Sequence, residues 1–226
     1  MCKFCDRFWD RFWVKSDAWE RAHSNESDLW AEETVQNRGL IDQALAIQDT
    51  ERATTFQLYL EAADAGSIWS MEKVGWHYQT GTFVAKDLAK AQDYYYRAVC
   101  AGSWMATLEY ARLLAEQGHH EYCERVLENG VASDFVPAYV ALARFRYEQS
   151  KTAMVCREVR PLLDYAARRG HPEANVMLAR WMMSGKLGIH KIPQGYKLAL
   201  QSAFRSAYGA DADADLRGAG ETAAHA

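Results

Sequence analysis

Residues 75–111 read GWHYQTGTFVAKDLAKAQDYYYRAVCAGSWMATLEYA, and this stretch decides the fold. Its middle predicts an amphipathic helix over 87–101. Leu88, Ala91, Tyr95, Ala98 and Val99 fall on one stripe at helical spacing. Asp87 is a good N-cap. Gly102 follows at the position where only glycine takes a positive φ without a Cβ penalty.

The same arrangement recurs along the chain, and internal repetition governs the reading of everything else. Segments closing on small residues and glycine are EAADAG (61–66), RAVCAG (97–102) and YAARRG (165–170). Gly66 to Gly102 is 36 residues and Gly102 to Gly170 is 68, which makes Asn129-Gly130 the expected intermediate stop. The segments after these stops align in columns. Small residues stand at Ser70, Ala106, Ala138 and Ala174. Four residues later come Val74, Tyr110, Leu142 and Leu178, then Gly75, Ala111, Ala143 and Ala179, and then Tyr78, Leu114, Arg146 and Met182. The offsets are 36, 32 and 36 residues. Only Arg146 breaks the apolar or small character. A spacing of i, i+4, i+5 and i+8 puts the columns on one helical face, and the small residue beside the large one lets a neighbouring backbone approach.

These are the A helices. Each is followed by a second amphipathic helix, B, at 87–101 and at roughly 50–65, 119–129, 152–169 and 194–207. The third B helix reads as short, which would account for the offset of 32. One pair of such helices cannot bury its apolar face, whereas stacked pairs can, so the expected class is an all-α solenoid. Strand signals are absent.

The pattern Gly75-Trp76-His77-Tyr78, Gly81, Val84, Asp87, Lys90-Ala91, Tyr94-Tyr95, Arg97-Ala98, Gly102, Ala106, Tyr110-Ala111 resembles the Sel1-like repeat, a variant of the tetratricopeptide family. Phe83 stands where that family has its second turn glycine. The third unit lacks the turn, and the fourth restores it over Gly185 to Ile189. The resemblance covers about 50–208. It implies a right-handed α-α superhelix whose A helices line the concave side. It also implies a function as an adaptor holding another protein, or, as in some bacterial members, as a neutraliser of a toxin. Fold likeness alone does not choose among these.

One residue row follows from the columns. Two positions beyond the first large buried column lie Trp76, Arg112, Arg144 and Arg180, pointing nearly opposite to the core. The neighbouring row is His77, Leu113, Phe145 and Trp181. Arginine presents a planar fork to carboxylates and stacks on aromatics, so Trp76, His77, Arg112, Arg144, Phe145, Arg180 and Trp181 are the expected partner-binding residues, and an acidic segment with aromatics is the expected ligand. The alternative is local pairing, Arg112 with Glu116 and Arg144 with Glu148, each i, i+4 and worth about 0.2–0.5 kcal/mol. Arg180 faces Ser184 and has no such partner.

Residues 1–23 form a separate expected unit. Phe4, Cys5, Phe8, Trp9, Phe12 and Trp13 make a wide aromatic stripe opposite Asp6, Arg7, Asp10 and Arg11. It reads either as a cap over the first repeat or as an interface helix for a partner or a second copy, with Phe4, Phe8, Trp9, Phe12 and Trp13 as contacts. Its mixed charges count against a membrane surface. Residues 24–208 are the expected repeat domain, beginning with a helix over 24–37 that starts near Ser24 or Ser27 and breaks at Gly39. The tail from 209 is too poor in large apolar residues to fold.

The composition bounds the function. The chain has 226 residues, 49% hydrophobic and 25% charged, with a net charge of -4. That balance offers no basic excess for nucleic acid, and no 18-residue apolar run predicts a membrane span. Charges throughout the first fifteen residues argue against a signal peptide. Five scattered cysteines suit free thiols in a reducing cytoplasm. Cys2 and Cys5 have metal-pair spacing without a second pair, and the adjacent His119 and His120 point apart, so no metal and no cofactor is expected. No phosphate loop or nucleophile elbow occurs, and no catalytic residue is assigned.

Overall fold

The computed structural model describes residues 16–208. The aromatic stripe with Phe4, Phe8, Trp9, Phe12 and Trp13, the Cys2–Cys5 pair and the tail from 209 lie outside the described residues. Among the described residues there are twelve α-helices and no strand: α1 Ser16–Ala22, α2 Glu26–Ala31, α3 Val35–Ile47, α4 Arg52–Asp64, α5 Ile68–Thr80, α6 Leu88–Cys100, α7 Trp104–Glu116, α8 His120–Ala132, α9 Val136–Ser150, α10 Ala153–Arg168, α11 Pro172–Met183 and α12 Ile192–Tyr208. A 3-10 turn at Ile189–Lys191 precedes α12. The described residues fall into two compact units, one over 18–142 and one that includes 143–208. Inside each unit helices pack chiefly on their sequence neighbours, α3 on α4 through to α7 on α8 in the first, α10 on α11 and α11 on α12 in the second.

The four columns form the core of the A helices α5, α7, α9 and α11. All of their residues are buried except Tyr110 and Arg146, which are half-buried. In the first unit the columns meet Phe56, Tyr59, Ala91, Tyr95 and Ala98 from the B helices. Asp87 caps α6 by accepting from the Lys90 N–H, and Ser67 and Ser103 cap α5 and α7 in the same way.

Every B-to-A connection is three residues long, with a left-handed residue in its middle: Gly66 (φ 95°), Gly102 (97°), Asp134 (57°) and Gly170 (88°). The following N–H bonds back five residues to Ala62, Ala98, Gly130 and Ala166 at 2.9–3.1 Å, the closure of a Schellman turn. The stop expected at Asn129-Gly130 is therefore at Asp134, an aspartate being among the few non-glycine residues that tolerate this conformation. Gly130 is inside α8 for a different reason. A Cβ there would stand 2.7 Å from the Ala138 Cβ, so the helices meet too closely for a side chain.

Two further expectations are corrected. The third B helix, α8, is not short; it has 13 residues, like α4 and α6. The four residues missing from the 32-residue offset come from the A-to-B loop, which is 81–87 after α5 but only 117–119 after α7. The segment 24–37 is not one helix broken at Gly39. It ends as α2 at Ala31, and α3 runs unbroken through Gly39. Thr34 starts α3 by capping the Asn37 N–H, and the Arg38 guanidinium closes α2 on the carbonyls of Trp30 and Ala31 at 3.0 and 2.8 Å. Burial of Ile41 and Ala44 offsets the glycine's cost.

Candidate functional site

Trp76, His77 and Arg112 belong to the first unit; Arg144, Phe145, Arg180 and Trp181 belong to the second. Trp76 is 44% exposed, Arg112 and Arg180 are exposed, and Arg144 and Phe145 are half-buried. His77 and Trp181 are buried at 4% and 2% exposure. The cause is helical phase. His77 stands three residues after Val74 and seven after Ser70, on their face, and Trp181 bears the same relation to Leu178 and Ala174.

The arginines do pair, with other acids than the expected ones. Arg112 Nε donates to Glu109 at 3.2 Å, and Arg144 Nη1 donates to Glu173 at 3.1 Å. Glu148 pairs with Lys151 at 3.0 Å.

An open cavity of about 320 Å³ lies in the first unit beside Trp76. Helix α5 supplies Trp69, Glu72, Lys73, Trp76 and His77, α3 supplies Leu45 and is followed by its C-cap Gln48, the 81–87 loop supplies Phe83, and Glu109 comes from α7. Trp69, Glu72, Lys73 and Trp76 fall at i, i+3, i+4 and i+7, a second face of α5 distinct from its core columns. That spacing is the sequence signal for this face.

The cavity is aromatic and electrostatically unusual. The His77 ring is stacked between Phe83 at 4.2 Å and Tyr59 at 5.9 Å. Burial, with the Lys73 ammonium nearby, lowers its pKa to about 4, so it is neutral near pH 7, and among the described residues its Nδ1 has no hydrogen-bond partner. Burial pushes the Glu72 carboxyl up to about 7, against the opposing effect of a hydrogen bond from the Ser103 hydroxyl. The Lys73 ammonium lies 4.7 Å from the centre of the Trp69 ring; burial first, then Arg21, lowers its pKa.

Charge divides between the units. Residues 18–142 hold nineteen Asp and Glu against nine Lys and Arg, a formal -10. Residues 143–208 hold twelve Lys and Arg against four Asp and Glu, a formal +8. A net charge of -4 for the whole chain conceals this division. Among the described residues no group of His, Cys, Asp and Glu is placed to hold a metal, and no helix is long and apolar enough to cross a membrane.

No family model matches the sequence, and no curated protein matches it. Solved structures do. A Sel1 repeat protein from Oxalobacter formigenes is 17% identical, covers 73% of this chain and 72% of its own, and superposes with a TM-score of 0.59. A protective antigen of uropathogenic Escherichia coli strains, displaying an SLR fold, is 16% identical over 77% of this chain with a TM-score of 0.61. The present chain spans 39% of that antigen's length. An immunity protein from Pseudomonas aeruginosa is 19% identical over 77% of this chain and 69% of its own, with a TM-score of 0.50. Successive helix pairs, a left-handed residue before each A helix and these matches give the chain the Sel1-like repeat fold.

Proposed function

We propose that the chain is a non-catalytic adaptor of the cytoplasm that binds another protein on its A helices, and that the basic second unit receives an acidic segment of that partner. The observation that carries this reading is the charge of 143–208. Three of its four acids already pair inside the unit: Glu148 with Lys151, Asp164 with Arg160, and Glu173 with Arg144. Twelve Lys and Arg against four Asp and Glu leave the stretch 143–208 with a positive excess whatever local pairs form. Arg180 on α11 and Arg157 on α10 are exposed and suit bidentate capture of carboxylates. A protein partner is favoured over nucleic acid because the chain as a whole has a net charge of -4 and offers a polyanion no basic excess. The free thiols Cys100, Cys123 and Cys156 support a reducing compartment.

The fold likeness to an immunity protein supports a second reading, in which the partner is one enzyme that the chain neutralises by covering it. Both readings meet the same test. Affinity capture from native lysate compares the wild type with Arg157→Glu/Arg180→Glu. Loss of acidic partners from the variant, with its melting temperature unchanged, supports the reading. Equal recovery of those partners, or nuclease-sensitive recovery of nucleic acid in their place, overturns it.

A further inference from the structure

The geometry of the first unit points to a second binding site of opposite sign: we propose that the cavity beside Trp76 receives one cationic side chain, arginine or lysine, from a basic segment of a partner protein. It lies in a different unit from the acidic-partner surface, so either proposal can fail alone.

Indole faces carry negative quadrupole charge and attract cations. The cavity already shows this attraction, since Lys73 Nζ rests 4.7 Å from the Trp69 ring centre. Trp76, one helical repeat further along the same face, is 44% exposed and has no cation over its ring among the described residues. Between the two indoles stands Glu72. Its Oε1 accepts from the Ser103 hydroxyl, and among the described residues the carboxylate makes no ion pair. Glu109, the other acid of the cavity, is matched by Arg112. Glu72 is therefore the acid of the cavity without an ion pair among the described residues, in a unit of net charge -10 whose field draws cations inward. The neutral His77 adds no charge to repel the guest. A volume of about 320 Å³ is at the small end of ligand pockets, which run from about 300 Å³, and so suits one large side chain rather than a folded element.

The test uses the full chain, labelled on tryptophan indole nitrogen, and two probes of similar length: N-acetyl-arginine amide and its neutral counterpart N-acetyl-norleucine amide. The Trp76 resonance is assigned by its loss in Trp76→Phe. The expected result is a Trp76 shift that saturates with the arginine probe at about tenfold lower concentration than with norleucine, weakens with added salt, and loses that preference in Glu72→Gln. Gln keeps an acceptor for Ser103, and the wild-type comparison decides the matter even if this variant unfolds. A second variant, Lys73→Met, removes the resident cation and is expected to tighten arginine binding at least twofold. Equal response to both probes shows an apolar pocket and overturns the proposal, as does an unmoved Trp76 resonance at millimolar arginine probe.

Discussion

The ring of Tyr95 packs against Gly75: a Cβ at position 75 would stand 3.0 Å from both Cδ1 and Cε1 of that ring. Tyr95 cannot easily retreat. It is 1% exposed, and its hydroxyl donates to the buried Gln79 Oε1 at 2.9 Å. Alanine improves helix propensity over glycine by about 1 kcal/mol, but overpacking a closed core costs about 1–3 kcal/mol. Gly75→Ala is therefore expected to lower stability by about 1 kcal/mol net. Urea unfolding of the two proteins checks this, and an equal or higher midpoint for the variant means that the ring yields.

Gly195 is held more severely. Its added Cβ would lie 2.7 Å from the Met182 Cβ, 2.8 Å from the Met183 nitrogen and 3.0 Å from the Ala179 oxygen. Two of these are backbone atoms of α11 and cannot rotate away. Gly195→Ala is expected to cost about 3 kcal/mol or more and to loosen α12 from α11. Amide hydrogen exchange over 192–208 should then accelerate in the variant while exchange over 68–100 stays as in the wild type. Unchanged protection of α12 would contradict the close approach.

These contacts explain how far the sequence could be read. The small column Gly75, Ala111, Ala143, Ala179 announces close helix approach, and Tyr95 against Gly75 and Gly195 against Ala179 supply it. The period was legible because left-handed turn and buried face repeat together. Its third stop was misplaced because glycine serves both close packing, as at Gly130, and positive φ, while Asp134 can take the latter without being glycine. The row Trp76, Arg112, Arg180 is exposed as helical phase requires, but one further residue of rotation carries His77 and Trp181 into the core. The cavity was hidden because its walls come from Leu45, Phe83 and Glu109, far apart in the chain. The charge division was visible in principle, and a single net charge erased it.

Glu72 and His77 act on stability in opposite senses as pH changes. Glu72 titrates near 7 in the fold against 4.5 ordinarily, so the native state holds the extra proton and stability falls as pH rises from about 4.5 to 7. His77 titrates near 4 against 6.5, so stability rises with pH between about 4 and 6.5. The wild-type contributions oppose each other between 4.5 and 6.5. The groups acting on Glu72 are Arg21, Glu26, Lys73 and the Ser103 hydroxyl, and Lys73 acts on His77. Glu72→Gln removes the falling limb, so the variant gains on the wild type as pH rises, reaching about 3 kcal/mol above pH 7. Melting curves at pH 5 and pH 8 measure the gain; an equal difference at both shows that Glu72 is already ionised at pH 5.

Asp134 is the one of the four B-to-A turns that does without glycine. Its φ of 57° is tolerated because a short polar side chain bonds locally, and the Tyr139 hydroxyl donates to its Oδ1 at 3.3 Å. Alanine at this position keeps the steric cost of a Cβ and loses the carboxylate, so Asp134→Ala is expected to lower stability by about 1 kcal/mol. Glycine removes the steric cost but increases the entropy of the unfolded chain, so Asp134→Gly should lie close to the wild type. A β-branched valine adds crowding at χ1 and should be the worst of the three. The order glycine, then alanine, then valine in urea midpoints follows if the turn is a Schellman closure sharing the geometry of Gly66, Gly102 and Gly170. Alanine equal to glycine would mean that the turn relaxes out of the left-handed region and that the 32-residue repeat closes by a different route.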